Sequence, residues 1–380
     1  SYVANKKNWV ENADYWIQLT KNIEDNLSDR LHEELTKSFI DKKISILARG
    51  LKQDMNLETA VSEDNKVLIN EQYVGELKGL KFIIDFNSKN LDVDLKSIKK
   101  AARKGVEKEL IKRAKQIIED KNLSIVSENK IIWFNNPIAR IKKGDNYLNP
   151  EIEIITDEAL PLDIKKELEL FVKNWLSSHI NEILGGLINL TKLKIENKYL
   201  RALSFQLYED NGVLKRKQVD EVIKLISKEE RKKLWSMGIK IGRYHIFLPK
   251  MLKPKAVVLR TMLWKIYNNI STDVIIPKFG LNFVVNENFN EKFLLLCGFE
   301  KFKNFFVRID ILEKLFIIII EKTIERKFTI LPEMMNLLGC SKENFYELMN
   351  LMNYKKSKDM DTYYFSGKDK QNKEKKNIIK

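Results

Sequence analysis

Residues 61–77 and 126–141 carry one pattern twice, and a duplicated unit restricts the possible folds more than any other feature of this chain. Aligned after a single deletion, VSEDNKVLINEQYVGEL and VSENKIIWFNNPIARI share five identities. Apolar residues also match at Val67/Ile131, Leu68/Ile132, Val74/Ile138 and Leu77/Ile141. Each copy predicts a hairpin with a polar turn (Asn70-Glu71-Gln72; Asn135-Asn136), then a strand at 81–86 or 151–155, then a long helix at 95–119 or 162–184. Chance similarity in a chain rich in Ile, Lys and Asn is the competing explanation. Two βββα units with short turns imply antiparallel sheets and an α+β architecture.

The first repeat helix is the clearest basic surface. Lys96, Lys99, Lys100, Arg103, Lys104, Lys108, Lys112 and Lys115 recur at helical spacing, opposite an apolar stripe of Ile98, Ala102, Val106, Leu110, Ala114 and Ile117. Glu107, Glu109 and Glu119 are too few for i,i+4 pairing to account for the charge. A solvated lysine face and a nucleic-acid contact both fit; the second repeat helix is much less basic. Residues 1–52 read as helical. Trp9, Tyr15, Trp16, Leu19, Ile23, Leu27, Leu31, Leu35 and Phe39 form a core-type stripe, which leaves Lys37, Lys42, Lys43 and Arg49 for another surface.

Residues 238–265, GIKIGRYHIFLPKMLKPKAVVLRTMLWK, are the most specific in form. Ser227 and Glu230 form an S-x-x-E capping box, so a short helix starts there and ends at Gly238. A strand broken at Gly242 follows, then a basic turn between Pro249 and Pro254, then a helix with Leu259, Met262, Leu263 and Ile266 inward. Arg243, Tyr244, His245, Lys250, Lys253 and Lys255 make this turn a candidate nucleic-acid contact, since phosphates meet Lys/Arg and bases stack on rings. Trp235 and Trp264 read as core; Tyr244 and Phe247 fit either role. Near the C-terminus, a helix started by Pro332, a Gly339-Cys340-Ser341 turn, a helix at 342–352 and a polar loop at 355–361 before Thr362-Tyr-Tyr-Phe365 follow the order of a winged helix-turn-helix. Its second helix carries Glu343 and Glu347, which favours protein packing over sequence readout.

Three blocks carry a resemblance. GRYHIFLPKMLKPKA resembles the G-x-x-H-x-F-L-P-x-L-L-K-P-x-A stretch of alphaproteobacterial-type helicases related to the mitochondrial degradosome RNA helicases, within the superfamily-2 DExH helicases. NLSDRLHEELTKSFIDKKISILARGLK (26–52) is similar to the L-S-D-x-L-H-E-x-L-T-x-R-F-V-D-R-R segment that follows the two motor domains in that family. LPEMMNLLGCS (331–341) is similar to its C-terminal module. Ser38, Lys42 and Lys43 stand where the family usually has Arg, and lysine lacks the planar fork that grips phosphate in two places. The resemblance implies the C-terminal accessory half of an ATP-dependent helicase. It also implies single-stranded RNA or DNA, the missing N-terminal motor domains and a ribonuclease as partners. ATP and magnesium would belong to those motor domains, with no cofactor, metal or catalytic residue in this chain. On this reading Lys42, Lys43, Arg49, Lys99, Lys100, Arg103 and Lys104 join the 243–255 residues as nucleic-acid contacts. A stand-alone nucleic-acid-binding adaptor without a motor is the alternative.

What is missing agrees. The chain has no G-x-x-x-x-G-K-[ST] loop to cradle phosphates, and Asp157-Glu158-Ala159-Leu160 reads as an acidic helix start before Pro161 rather than a DEAD-type box. A net charge of +15 favours a polyanionic partner, although 12 of the 68 basic residues being Arg also fits an AT-rich coding sequence. Cys297 and Cys340 are too far apart for a zinc pair, and His32, His179 and His245 make no ligand pattern. The longest apolar run, 315–320, is far below the ~20 residues of a membrane span. With no signal peptide, the expectation is a soluble cytoplasmic protein. The predicted architecture is α+β, mainly helical. It comprises a helical segment (1–52), two tandem βββα-like units (53–123, 124–186), a mainly helical domain (187–326), a winged-helix-like module (327–365) and a disordered basic tail (366–380).

Overall fold

The computed structural model describes residues 11–52, 59–62, 64–69, 71–84, 92–120, 122–126, 129–192, 197–270, 276–285, 290–324, 327–357 and 362–366. The predicted basic tail, all but Ser366, lies outside them. The fold is α+β, with small antiparallel sheets. Two compact units divide the chain: Ser1–Ile141 with Ile152–Lys173, and Lys142–Glu151 with Asn174–Lys380.

The first unit starts with α1 (Ala13–Lys52). A meander of β1 (Thr59–Val61), β2 (Lys66–Ile69), β3 (Gln72–Lys78) and β4 (Lys81–Ile84) follows, then α2 (Asp92–Asp120). The plan recurs in β5 (Ser124–Val126), β6 (Lys130–Trp133), β7 (Asn136–Asn146), β8 (Asn149–Ile154) and α3 (Leu162–Lys192), whose second half belongs to the second unit. Strand order is β1-β2-β3-β4 in one sheet and β5-β6-β7-β8 in the other. The two copies match in detail. The register slips between Val67 and Leu68 in one and between Ile131 and Ile132 in the other. Asn65 and Asn129 are both left-handed, as are Glu71 and Asn135. The Leu77 N–H donates to Asn65 O and the Ile141 N–H to Asn129 O, each at 2.8 Å. Each unit therefore has four strands where three are expected. The extra ones, TAV and SIV, are too short to show an alternating pattern.

α2 lies on its sheet through Ala102, Val106, Leu110, Ala114 and Ile117, all at 0% exposure. Arg113 fastens it there. Its guanidinium donates to the carbonyls of Leu77 (3.2 Å) and Gly79 (3.1 Å) and to Asn65 Oδ1, and pairs with Glu109.

The second unit is built on one plan used three times. α4 (Lys198–Glu209), β9 (Val213–Lys215), α5 (Arg216–Lys224), α6 (Lys228–Ser236), β10 (Lys240–Ile241) and β11 (His245–Phe247) form the first module. A 3-10 turn (Pro249–Leu252) leads to α7 (Pro254–Tyr267), β12 (Phe283–Val285), α8 (Glu291–Cys297), β13 (Phe299–Lys301) and β14 (Phe305–Arg308). The third module is α9 (Ile309–Glu321), β15 (Lys327–Thr329), α10 (Pro332–Leu338), α11 (Lys342–Leu351), β16 (Tyr354–Lys356) and β17 (Thr362–Phe365). In each three-stranded sheet the last strand is central, flanked by the first and second: β9-β11-β10, β12-β14-β13 and β15-β17-β16. Residues 187–326, read as mainly helical with a strand broken at Gly242 and a β-like stretch at 279–285, hold the helices α4 to α9 and, among the described residues, two three-stranded sheets. The six strands among these described residues are two to four residues long, and outside the stretch around Gly242 they are too short for alternation to be read.

Local signals place several ends. Ser227 Oγ accepts from the Glu230 N–H (3.2 Å) and the Glu230 carboxylate accepts from the Ser227 N–H (2.8 Å), so both halves of the capping box at α6 are present. Pro254 occupies the first turn of α7. Gly339 closes α10 in the left-handed region, and Phe345, Leu348, Met349 and Met352 of the last helix and turn face the core with Phe316 and Tyr363.

Candidate nucleic-acid interface

In the first unit, burial of the α2 stripe leaves Lys104, Lys108, Lys112 and Lys115 exposed on the opposite face. Lys112 also lines a cavity of ≈ 380 Å³ together with Asn65, Gln116, Trp133 and Phe134. Phe134 stands in the β6–β7 turn at φ 41° and is 67% exposed. Trp133 is held by a hydrogen bond from Nε1 to Asp120 (3.1 Å), and its ring meets Phe134 edge-on at 5.0 Å. Lysines leading to an exposed ring and two side-chain amides suit a phosphate backbone with an unstacked base. Sequence reasoning found the lysines and missed the rings, because an aromatic pair inside a strand pattern reads as core.

Arg103, expected to meet phosphate, pairs with Asp157 (3.0 Å) and Glu158 (2.7 Å). In the acidic string before α3, Asp157 accepts from Arg103 and from the Ala159 N–H (3.0 Å), and its own N–H donates to Leu80 O (2.9 Å). The side chains of Lys42, Lys43, Arg49, Lys99 and Lys100 lie outside the described ones.

In the second unit, the GRYHIFLPKMLKPKA stretch folds around a buried carboxylate. Glu313 of α9 accepts the backbone N–H groups of Arg243 (2.6 Å), Tyr244 (2.9 Å) and His245 (2.8 Å). His245 lies between Glu313 (Nδ1, 3.4 Å) and Glu300 of β13 (Nε2, 3.1 Å), and Lys215 bridges Glu300 (2.7 Å) to Glu291 (2.6 Å). A Cβ on Gly242 would land on the Glu313 carboxylate, so any larger residue here must displace that group. Burial pulls the His245 imidazole down, but hydrogen bonds to Glu300 and Glu313 outweigh it and its pKa rises. Burial pushes Glu300 and Glu313 up, and His245 with its neighbouring donors brings both below the ordinary carboxylate value. The cluster fastens the first module to β13 and α9.

This placement corrects the role expected of His245. It is 2% exposed, with both ring nitrogens facing carboxylates, and has no face to offer a phosphate. Phe247 is buried, and Tyr244 packs on Phe316 at 4.4 Å between ring centroids. Arg243 is exposed but lies over the rings of Tyr244 and Phe365. Lys250, Lys253 and Lys255 are exposed around the 3-10 turn and the start of α7. Beneath them Arg260 is wholly buried, donating to the carbonyls of Asn211, Met251 and Leu296, with its pKa lowered to about 10 by burial.

Two further expectations change. Trp235 is 75% exposed, not core, whereas Trp264 packs against Val257, Phe293 and their neighbours. On α1, Tyr15, Trp16, Ile23, Leu27, Leu31 and Leu35 are between 44% and 62% exposed and Leu19 is half-buried, so most of the described part of the stripe read as core is uncovered. Among the described residues no three His, Cys, Asp or Glu side chains are grouped to hold a metal ion, and no helix is long and apolar enough to cross a membrane. Comparison with protein-family models, curated proteins and solved structures gave no match to this chain.

Proposed function

We propose that this chain is the C-terminal accessory region of an ATP-dependent RNA or DNA helicase. It holds and guides a single strand for motor domains that are not in this sequence. The observation that carries the reading is the α2 surface: exposed lysines running to a cavity walled by Trp133 and Phe134. Phosphates would lie along Lys104, Lys108 and Lys112, and an unpaired base would enter beside Phe134. Lys250, Lys253 and Lys255 add a second exposed basic patch in the block that carries the helicase resemblance. The uncovered apolar stripe of α1 supports membership of a larger assembly, since a face of this size is ordinarily covered. No step of chemistry is assigned to this chain; ATP hydrolysis and its magnesium ion belong to the motor.

The test is a titration of the chain with labelled oligouridylate and oligothymidylate over a range of salt. Binding should show no sequence preference, and the log–log salt slope should be about −0.7 for each phosphate neutralised. Phe134→Ala should weaken binding by about 1–3 kcal/mol, the worth of one base–ring stack. Salt-independent binding would remove the lysine contact from the reading. An unchanged affinity in Phe134→Ala would remove the cavity.

A further inference from the structure

The second unit's repeated plan sets three helices in one position, immediately before each hairpin: α6, α8 and α11. That is where a winged helix-turn-helix carries the helix it presents to nucleic acid, and the three differ sharply. α8 spends four of its seven residues on packing, with Phe293, Leu294, Leu296 and Cys297 buried. α11 carries Glu343 and Glu347 against Lys342. α6, KEERKKLWS, carries four basic residues and two acids. One acid is already engaged, because the Glu230 carboxylate accepts from the Ser227 N–H and from Asn197 Nδ2.

Lys228, Arg231, Lys232 and Trp235 fall at i, i+3, i+4 and i+7 and share a face, while Leu234 is buried against the module. Lys228, Arg231 and Lys232 are all exposed. Arg231 is also positioned, since one guanidinium nitrogen donates to Ile223 O (3.0 Å). Trp235 is the most exposed of the large aromatic side chains among the described residues.

We infer that α6 is a strand-binding helix, with Lys228, Arg231 and Lys232 on phosphates and Trp235 stacked on an unpaired base of single-stranded RNA or DNA. The inference rests on the proposed strand-binding function and adds a contact separate from the α2 cavity. The ring selects a single strand over a duplex. In a duplex the base faces are covered by their neighbours, whereas a splayed base offers its whole face to the indole.

The experiment uses the full 380-residue chain and labelled oligouridylate, oligothymidylate and a duplex of equal length. Trp235→Ala should weaken strand binding about tenfold, and Trp235→Phe should retain most of it. Lys228→Ala with Lys232→Ala should make the salt slope shallower by about 1.4, twice the single-strand value of ~0.7 per phosphate. Lys342→Ala, on α11, should change nothing. Thermal midpoints should stay at the wild-type value, because every replaced side chain is exposed; a Trp235→Gln variant provides a second reading of the ring. Wild-type strand binding with no loss in Trp235→Ala or Trp235→Gln would overturn the inference and leave the strand-binding function standing. No binding by the wild type at low salt would overturn both. Tighter binding to duplex, unaffected by loss of the indole, would assign α6 to groove docking and overturn the single-strand contact.

Discussion

At the scale of single residues, the G-x-x-H spacing has a physical cause. Glu313 is taken out of water and compensated by three backbone N–H groups and His245. Removing one member of such a group is far costlier than the net worth of the group itself. Glu313→Ala should therefore lower stability by about 3–5 kcal/mol in urea unfolding. Gly242→Ala should cost about 1–3 kcal/mol by overpacking, and much less when Glu313 is already alanine, because the clash partner is gone. The same cluster sets a pH dependence. His245 has its pKa raised, so its contribution is complete below the ordinary 6.5 and is lost as pH rises through the raised folded value. Glu300 and Glu313 have theirs lowered, so their contribution is present above 4.5 and is lost as pH falls through the lowered values. The thermal midpoint should decline on both sides of that window. In His245→Gln the alkaline decline should disappear while the acid one persists; an unchanged alkaline limb would exclude His245 as its origin.

At the scale of elements, α1 and α2 show how the same kind of stripe reaches opposite ends. The apolar positions of α2 reach 0% exposure because a sheet lies under them. Those of α1 between Tyr15 and Leu35 remain open. Leu27→Glu with Leu31→Glu should thus leave the chain's own stability within about 0.5 kcal/mol, where buried leucines would lose about 2–5 kcal/mol on truncation alone. Urea unfolding separates the two, and a large loss would show that α1 is covered within the folded chain. Periodicity reports that a helix has an apolar face. It cannot report whether the covering surface is present.

At the scale of the molecule, charge is distributed rather than concentrated at one site. The net +15 is carried mostly by lysine, and exposed lysines occur on α2, α6 and the 250–255 turn. Binding that follows this distribution should weaken by a similar factor for RNA and DNA strands as salt rises. Replacing Lys104, Lys108 and Lys112 together by Ala should make the slope shallower by about 2, at ~0.7 per lost phosphate contact. Unequal salt slopes for the two strands would show that the 2′-hydroxyl, not charge alone, is read.

Sequence by itself determined what depends on neighbours along the chain. The capping box at Ser227, the proline start of α7, the inward face of the last helix and the paired pattern at 61–77 and 126–141 are all local, and each has its counterpart in the fold. Apart from the strand broken at Gly242 and the β-like stretch at 279–285, the short strands of the three modules were illegible, because two to four residues cannot display a period. Only the tertiary structure decided where charges and rings went. Arg103 met Asp157 and Glu158, His245 met two glutamates from β13 and α9, and Trp235 was left in solvent. These partners lie more than fifty residues away or, for Trp235, are absent among the described residues. Whether a cation faces a carboxylate or water is set by what the fold brings across that distance, and no local pattern of residue types encodes it.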